Sequence, residues 1–337
     1  MRDLHPGDRA LRDGGVGAGE QPQPRADPRA PGGQPLPLHR LPADRGRRGG
    51  GDRTPGGGQV TAYVKPADLA EACAARASHP DYLLLAGGTD YMVGVLHKDA
   101  PAGVIDLFDL PGLRGIERRD DAWRIGAATT YADLLRHEEL CAELPLLAQC
   151  AREIGAVQIQ ERGTLGGNMG TSSPVGDTLP CMLALNAVIH LASAEGERAL
   201  PYDGFCTGYR QIAARPDELI AAIELPRPVP GVQFWRKVGT RKAQAISKVM
   251  VAASARRSGE TLSEVRLAMG AVADRPVRLK ATEALLEGQA PSAELAEAVR
   301  AQVAEEITPI SDVRSTAPYR LFAAQNLAAR FVLEQCS

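Results

Sequence analysis

An α+β fold of more than one domain is predicted, on three observations. At 337 residues the chain is long enough for about two or three domains. Strand-like and helix-like segments mix without the repeating strand–helix–strand rhythm of a doubly wound sheet. The dinucleotide fingerprint G-x-G-x-x-G after a strand is absent, since the nearest string, GTLGGN from Gly163 to Asn168, has the wrong spacing.

The bulk composition narrows the function classes. Hydrophobic residues make up 44% of the chain, enough for real cores. With 39 basic against 41 acidic residues, nothing calls for nucleic acid or an anionic membrane as partner. No apolar run approaches the roughly 20 residues of a membrane helix, and no secretory signal pattern is seen, so a cytoplasmic protein is expected. Cys73, Cys141, Cys150, Cys181, Cys206 and Cys336 show no C-x-x-C or zinc-like spacing. They read as buried free thiols, and no metal site is expected on this polypeptide.

Residues 1–58 differ in kind from the rest, with 14 of the 35 glycines, 9 of the 25 prolines, ten arginines and seven interleaved acidic residues. Such a segment buries too little apolar surface to offset chain entropy and is expected to be disordered. From residue 60 onward, VTAYVKPADLAEACAARASHP predicts a short strand, a turn and a helix over about 67–77, with Leu69, Cys73 and Ala74 on its buried face. Leu83 to Leu85 form an apolar run that reads as a buried strand. Ala86, Gly87, Gly88, Thr89 and Asp90 then turn the chain into an expected helix. Two readings of that turn are open: a tight turn capped by Asp90, or an anion site built on unpaired N–H groups.

Short strands around Ile105 and over 123–125, a helix opening at Thr130 and another over 145–154 lead to RGTLGGNMGTSSPVGDTLP, Arg162 to Pro180. This stretch reads as one loop that gathers glycine, hydroxyl side chains and a carboxylate. It is either a plain Gly/Ser connection or a concave site for a phosphate-bearing ligand, with Asp177 able to accept from sugar hydroxyls. A strand ending at Pro226 and the linker Arg227 to Gly231 follow. Beyond it come two β-rich segments with a hairpin near Gly259, a helical region broken near Pro291, and a last amphipathic helix after Pro318. The core face of that helix is expected from Leu321, Leu327, Phe331 and Val332.

Seven stretches together resemble the FAD-binding subunit or domain of the molybdenum hydroxylases, the group of xanthine dehydrogenase, aldehyde oxidase and carbon monoxide dehydrogenase. They are LLAGGTD (Leu84 to Asp90), IGAATTYADL (Ile125 to Leu134), the 162–180 loop, FCTGYR (Phe205 to Arg210), PDELI (Pro216 to Ile220), KVGTRKAQAISKV (Lys237 to Val249) and ITPISDVRSTAPYR (Ile307 to Arg320). Their order is the family's order, and the last two most resemble bacterial xanthine dehydrogenase flavoproteins.

The resemblance implies a PCMH-type FAD-binding fold over 59–227, with subdomains of about 59–115 and 116–227, followed by a smaller α+β domain over 231–335. FAD is then expected between the subdomains. Leu85, Ala86, Gly87, Gly88, Thr89, Asp90 and Tyr91 face it from one side, and Thr164, Gly167, Asn168 and Thr171 from the other. Asp177 is the candidate for a sugar hydroxyl, and Lys237 matches a basic position near the flavin. A solvated strand face formed by Lys237, Arg241, Lys242 and Lys248 is the competing reading of that lysine. No catalytic side chain is expected, because the flavin carries the redox step. No histidine falls in a matching loop, so the flavin is expected to be held without a covalent bond. Electrons are implied to come from 2Fe–2S clusters and to leave to NAD⁺ or O₂. The molybdenum cofactor belongs to a partner chain, and an iron–sulfur subunit or domain is the other expected partner.

Departures from the family pattern are Tyr91 in place of an aliphatic residue, Gly170 for a frequent alanine and Cys206 for an aromatic residue. Iron–sulfur ligands are missing as well. Written in suitable codons, QPLPLHRLPADR (Gln34 to Arg45) becomes NLCRCTGYRPI when the frame moves by one base. That string resembles the cysteine-rich 2Fe–2S element of the same family, so residues 1–58 read as an out-of-frame remnant of an iron–sulfur domain. Two alternatives stay beside the electron-transfer reading: a free-standing FAD oxidoreductase, and a flavin-binding subunit inactive in electron transfer.

Overall fold

A computed structural model describes residues 61–93, 95, 98–241 and 244–335. The 1–58 segment with its out-of-frame motif lies outside the described residues, as do His97, Lys242 and Cys336. Three lobes, each with its own sheet, follow one another along the chain.

The first lobe comprises β1 (Ala62–Val64), α1 (Leu69–Ser78), β2 (Leu83–Leu85) and β3 (Gly103–Asp106), its parallel strands ordered β1-β3-β2. Helix α1 starts at Asp68, whose carboxylate accepts the Glu71 N–H at 2.8 Å. It buries Ala72 and Cys73, leaving Leu69 half-buried and Ala74 exposed, so its inner face is rotated from the expected one. Among the described residues no α-helix directly follows Asp90, where one is expected. Residues 89–93 are turns, with Gly88 at φ 73° ahead of them, and their backbone bonds are single turns, Met92 N–H to the Gly88 carbonyl at 2.9 Å and Val93 N–H to that of Asp90 at 3.3 Å.

The second lobe runs from β4 (Ile116–Arg118) and β5 (Ala122–Gly126) through six short helices: α2 (Tyr131–Arg136), α3 (Glu138–Glu143), α4 (Pro145–Glu153), α5 (Val157–Gln160), α6 (Leu165–Thr171) and α7 (Leu179–Ala184). Strands β6 (Val188–Ser193), β7 (Gly196–Pro201), β8 (Cys206–Gly208), β9 (Gln211–Ile212) and β10 (Leu219–Pro226) complete it. Its main antiparallel sheet has the order β4-β5-β10-β6-β7. Alternate residues Trp123 and Ile125, Ile189 and Leu191, Ile223 and Leu225 point to one core, as strand periodicity requires. Leu134 of α2, Leu147 of α4 and Met182 of α7 close it. Helix α2 opens at Thr130 on a capping box with Asp133.

The third lobe has the sheet β11 (Val232–Val238), β12 (Val249–Ser258), β13 (Thr261–Gly270), β14 (Val277–Arg278), with β12 and β13 joined at Gly259. Helices α8 (Lys280–Leu286), α9 (Ala293–Glu306) and α10 (Ala317–Leu333) follow. Phe234, Val251 and Leu267 pack with Leu327, Phe331 and Val332 of α10; Leu321 is only half-buried. The opposite face sends Trp235, Ala252 and Ala268 into the core of the second lobe. The sheet is thus covered on both sides, which is why β12 is buried continuously from Val249 to Ala255. Among the described residues no helix is long and apolar enough to cross a membrane.

Candidate functional site

The first two lobes meet where two glycine-bearing segments touch. A methyl group on Gly87 would lie 1.6 Å from the Arg162 carbonyl oxygen, and one on Gly166 would lie 2.5 Å from Ala127 Cβ. Only hydrogen allows the backbones so near. The Arg162 guanidinium also lies over the Phe108 ring, 3.7 Å from its centroid.

Beside this contact opens a cavity of about 1010 Å³, at the upper end of the roughly 300–1,000 Å³ usual for small-molecule sites. Leu85, Ala86, Gly87, Gly88, Thr89, Asp90 and Tyr91 line one wall; Thr164, Gly167, Asn168 and Thr171 line the other. These are the eleven residues expected to face the ligand, and the fold brings them together. Ser173, one of the hydroxyl side chains of the glycine-rich stretch, also lines the space, as do Arg76 and Arg215, which no signal in the sequence singled out.

The two walls differ electrostatically. On the first, the N–H groups of Gly87, Gly88, Thr89, Asp90 and Tyr91 have no acceptor among the described residues. Backbone donors of this kind meet an anionic ligand without a lysine. Asp90, at the edge, is bridged by Arg210 at 3.3 Å.

The second wall is not the open loop that its glycines imply but helix α6, and its first amides are already bonded. Leu165 N–H donates to the Thr129 carbonyl at 3.0 Å, Gly166 to Ala127 at 2.8 Å and Asn168 to Thr164 at 3.1 Å. Gly167 N–H donates to Thr164 Oγ1 at 3.0 Å. What this wall offers a ligand is therefore side-chain chemistry. The Thr164 hydroxyl accepts from Gly167 and keeps its own proton to donate. Asn168 Oδ1 accepts from Thr178 at 2.6 Å, which leaves its amide NH₂ as a donor.

Asp177 and Lys237 are brought together but do not line the cavity. Lys237 Nζ lies 2.5 Å from Asp177 Oδ2, with the side chains 4% and 10% exposed. Ser247 donates to Asp177 Oδ1 at 2.5 Å. Burial pushes the Asp177 carboxyl above its ordinary value, against the pull of Lys237. The reading of Lys237 as part of a solvated strand face is overturned by this burial.

Glu218, within the PDELI stretch, is a charged group of the cavity wall whose role the sequence left unassigned. It accepts from Arg198 Nε at 2.5 Å and Nη2 at 2.8 Å, and from the Arg215 N–H at 2.5 Å. The Arg198 bonds hold its carboxyl below the ordinary range. Among the described residues no group of three or more His, Cys, Asp or Glu side chains is placed to hold a metal ion.

A cavity of this size with bare amides on one wall, hydroxyl and amide donors on the other and apolar lining such as Leu85 and Ile220 fits a phosphate-bearing, partly aromatic ligand such as a flavin dinucleotide. Comparison with known proteins agrees. Residues 58–228 match the family described as the FAD binding domain in molybdopterin dehydrogenase, and residues 235–335 match the CO dehydrogenase flavoprotein C-terminal domain. The chain is 31% identical to the xanthine dehydrogenase FAD-binding subunit of Escherichia coli, covering 81% of this chain and 94% of that one. It is 30% identical to the nicotine 6-hydroxylase medium subunit of Paenarthrobacter nicotinovorans, covering 81% and 96%. A chain of the carbon monoxide dehydrogenase from Hydrogenophaga pseudoflava, solved without the Mo-pyranopterin moiety of its molybdenum cofactor, superposes with a TM-score of 0.78 at 30% identity, covering 82% and 98%. The chain belongs to the family of FAD-binding domains of the molybdopterin dehydrogenases, a flavoprotein subunit of molybdenum hydroxylase-type oxidoreductases.

Proposed function

We propose that this chain is the electron-transfer flavoprotein of a xanthine dehydrogenase-like molybdenum hydroxylase. The observation that carries this reading is the run of bare amides from Gly87 to Tyr91 facing donors on α6 across the cavity. Bound FAD supplies a redox centre that takes electrons from iron–sulfur clusters and gives them to NAD⁺ or O₂. The chain's own residues bind, orient and shield.

In this reading the amides of residues 87–91 receive the pyrophosphate, with Thr89 adding a hydroxyl donor. Thr164, Asn168 and Thr171 donate from α6, and Gly167 keeps that helix close to the ligand. Leu85 and Ile220 supply apolar wall, which excludes water from the ring system. No proton-transferring side chain is assigned. The partners in this reading are a molybdenum-cofactor subunit and an iron–sulfur subunit; the relatives' names mark each of them as one subunit of a larger enzyme, and the carbon monoxide dehydrogenase is a molybdenum-cofactor enzyme. The setting is cytoplasmic.

The test follows flavin absorbance in the purified chain and in the complex assembled with its partners. Bleaching by NADH in the chain alone, with bleaching by hypoxanthine only in the complex, is expected. Bleaching by an organic substrate without partners would instead mark a free-standing oxidoreductase. A flavin-loaded complex that neither NADH nor substrate bleaches would mark a subunit inactive in electron transfer.

A further inference from the structure

The stretch Ile307 to Arg320, one of those that carry the family resemblance, lines no part of the cavity. It builds a surface of the third lobe instead. Asp312 turns the loop, accepting the N–H groups of Arg314 and Ser315 at 2.9 and 3.0 Å, and Ser311 Oγ accepts the Ala317 N–H at the head of α10 at 2.8 Å. Arg320, 2% exposed, ties this loop to the segment before β12: its Nη2 donates to Asp312 at 2.7 Å and its Nη1 to the Lys248 carbonyl at 2.5 Å. Lys248 Nζ in turn lies over the Tyr319 ring, 5.1 Å from its centroid.

These bonds gather apolar side chains that face solvent. Ile310 is 70% exposed, Val313 98%, Phe322 64% and Tyr319 44%, and Ile246, two positions before Lys248, is 50% exposed. Tyr319 and Phe322 stand three positions apart on α10 and so share one of its faces. A single exposed apolar residue is ordinary on a protein surface, whereas a group of them marks a contact site. Five of the eleven large apolar side chains exposed among the described residues fall in this one place, so the group is a patch rather than scatter.

The patch lies near the cavity and has a basic frame. Gln244, two positions before Ile246, donates its N–H to the Gly155 carbonyl at 3.2 Å, and Ile154, next to that glycine, lines the cavity. Residues 237–249 and 307–320 hold six basic residues against one acidic residue, Asp312, whose carboxylate is already paired with Arg314 and Arg320. In a chain of 39 basic and 41 acidic residues this is a local excess. An apolar centre within a charged rim is the anatomy of a protein interface, and a basic rim selects a partner of negative potential. We propose that this surface docks the iron–sulfur subunit. A cluster held by cysteine thiolates alone is net negative, and it has to come close to the flavin to pass electrons, as docking beside the cavity allows. The molybdenum-cofactor subunit, whose electrons go to the clusters, has no such need. The proposal rests on the electron-transfer reading above.

The experiment measures binding of the full chain to the purified iron–sulfur subunit and, separately, to the purified molybdenum-cofactor subunit by biolayer interferometry. Sedimentation gives the oligomeric state of the chain alone. Wild type is compared with Val313→Asp and Phe322→Ser in the patch, and with Leu333→Asp, an exposed apolar position at the far end of α10. Val313→Asp and Phe322→Ser are each expected to weaken binding of the iron–sulfur subunit about thirtyfold or more, the size of an interface hot spot. Binding of the molybdenum-cofactor subunit, FAD content and the unfolding midpoint should stay at their wild-type values. Leu333→Asp should bind as wild type does. The proposal is overturned if wild type does not bind the iron–sulfur subunit, if both patch variants bind it unchanged, or if Leu333→Asp weakens it equally. A loss confined to the molybdenum-cofactor subunit overturns it in favour of that chain, and a dimeric wild type with monomeric variants overturns it in favour of a second copy. Should one patch variant fail to fold, the other decides. A chain that binds the iron–sulfur subunit through the patch yet takes up no FAD overturns the FAD reading and leaves this surface standing.

Discussion

Gly87 and Arg162 stand 75 positions apart in the chain and meet backbone to backbone, so close that a methyl group on the glycine would overlap the arginine carbonyl at 1.6 Å. Neither backbone can give way without moving a whole segment, because Gly87 lies two residues after β2 and Arg162 two residues before the cap of α6. The contact sets how far apart the two cavity walls stand.

Gly87→Ala is therefore expected to separate the walls and abolish flavin retention. Gly170→Ala should leave it intact, since a methyl group there meets only Ile220 Cδ1 at 3.6 Å, an ordinary contact. Flavin-to-protein ratios of the two purified variants check this pair.

At Gly167 the obstacle is the cap of α6. A Cβ would lie 2.7 Å from Thr164 Oγ1, the atom that accepts the Gly167 N–H. Gly167→Val is expected to displace that hydroxyl, cost about 1 kcal/mol or more in helix capping and abolish flavin retention. Full FAD occupancy in the variant would refute the place given to this wall.

Glu143 gathers three donors: Arg118 Nη2 at 2.8 Å, Trp123 Nε1 at 2.9 Å and Arg227 Nε at 3.1 Å. Partial burial opposes its ionisation, yet the hydrogen bonds from Arg118, Trp123 and Arg227 hold its carboxyl down at about 2. A carboxyl depressed in the folded state stabilises that state above its unfolded pKa and loses the contribution as pH falls through the folded one. The loss is thus expected between about pH 4.5 and about 2. Glu143→Gln should cost roughly 1–2 kcal/mol at neutral pH, discounted for its partial exposure, and flatten the acid limb of a denaturation series.

Cys73, Cys150, Cys181 and Cys206 are buried free thiols, and burial pushes Cys150 well above its ordinary value. Because the thiolate is the reactive form, none of the four is expected to react with iodoacetamide in the native protein. Mass spectrometry before and after denaturation reads this directly.

Much of this architecture was legible in the sequence, and its gaps have physical causes. Thr130 with Asp133, Pro318 at the head of α10 and the turn at Gly259 carry their signals locally, within a few residues. Helix α6 did not, because LGGNMGT has poor helix propensity. It is held by the Thr164 cap and by burial of Leu165 and Met169, both 0% exposed. The opposite error arose after Asp90, where the glycines were read as opening a helix and residues 89–93 are turns instead. The motifs named residues that line the two walls. The pairing of Asp177 with Lys237 was not legible, since two residues 60 positions apart leave no local trace, and a lysine on a strand looks solvated until the packing is seen.

The central claim is that the walls around Gly87 and Gly167 enclose FAD. The most direct measurement is the flavin released by denaturing the purified chain, identified by chromatography and counted against protein. The account predicts one FAD per chain, with FMN failing to compete because it lacks the second phosphate and the adenosine. A flavin-free chain that takes up no added FAD, or one that binds FMN equally well, would contradict it.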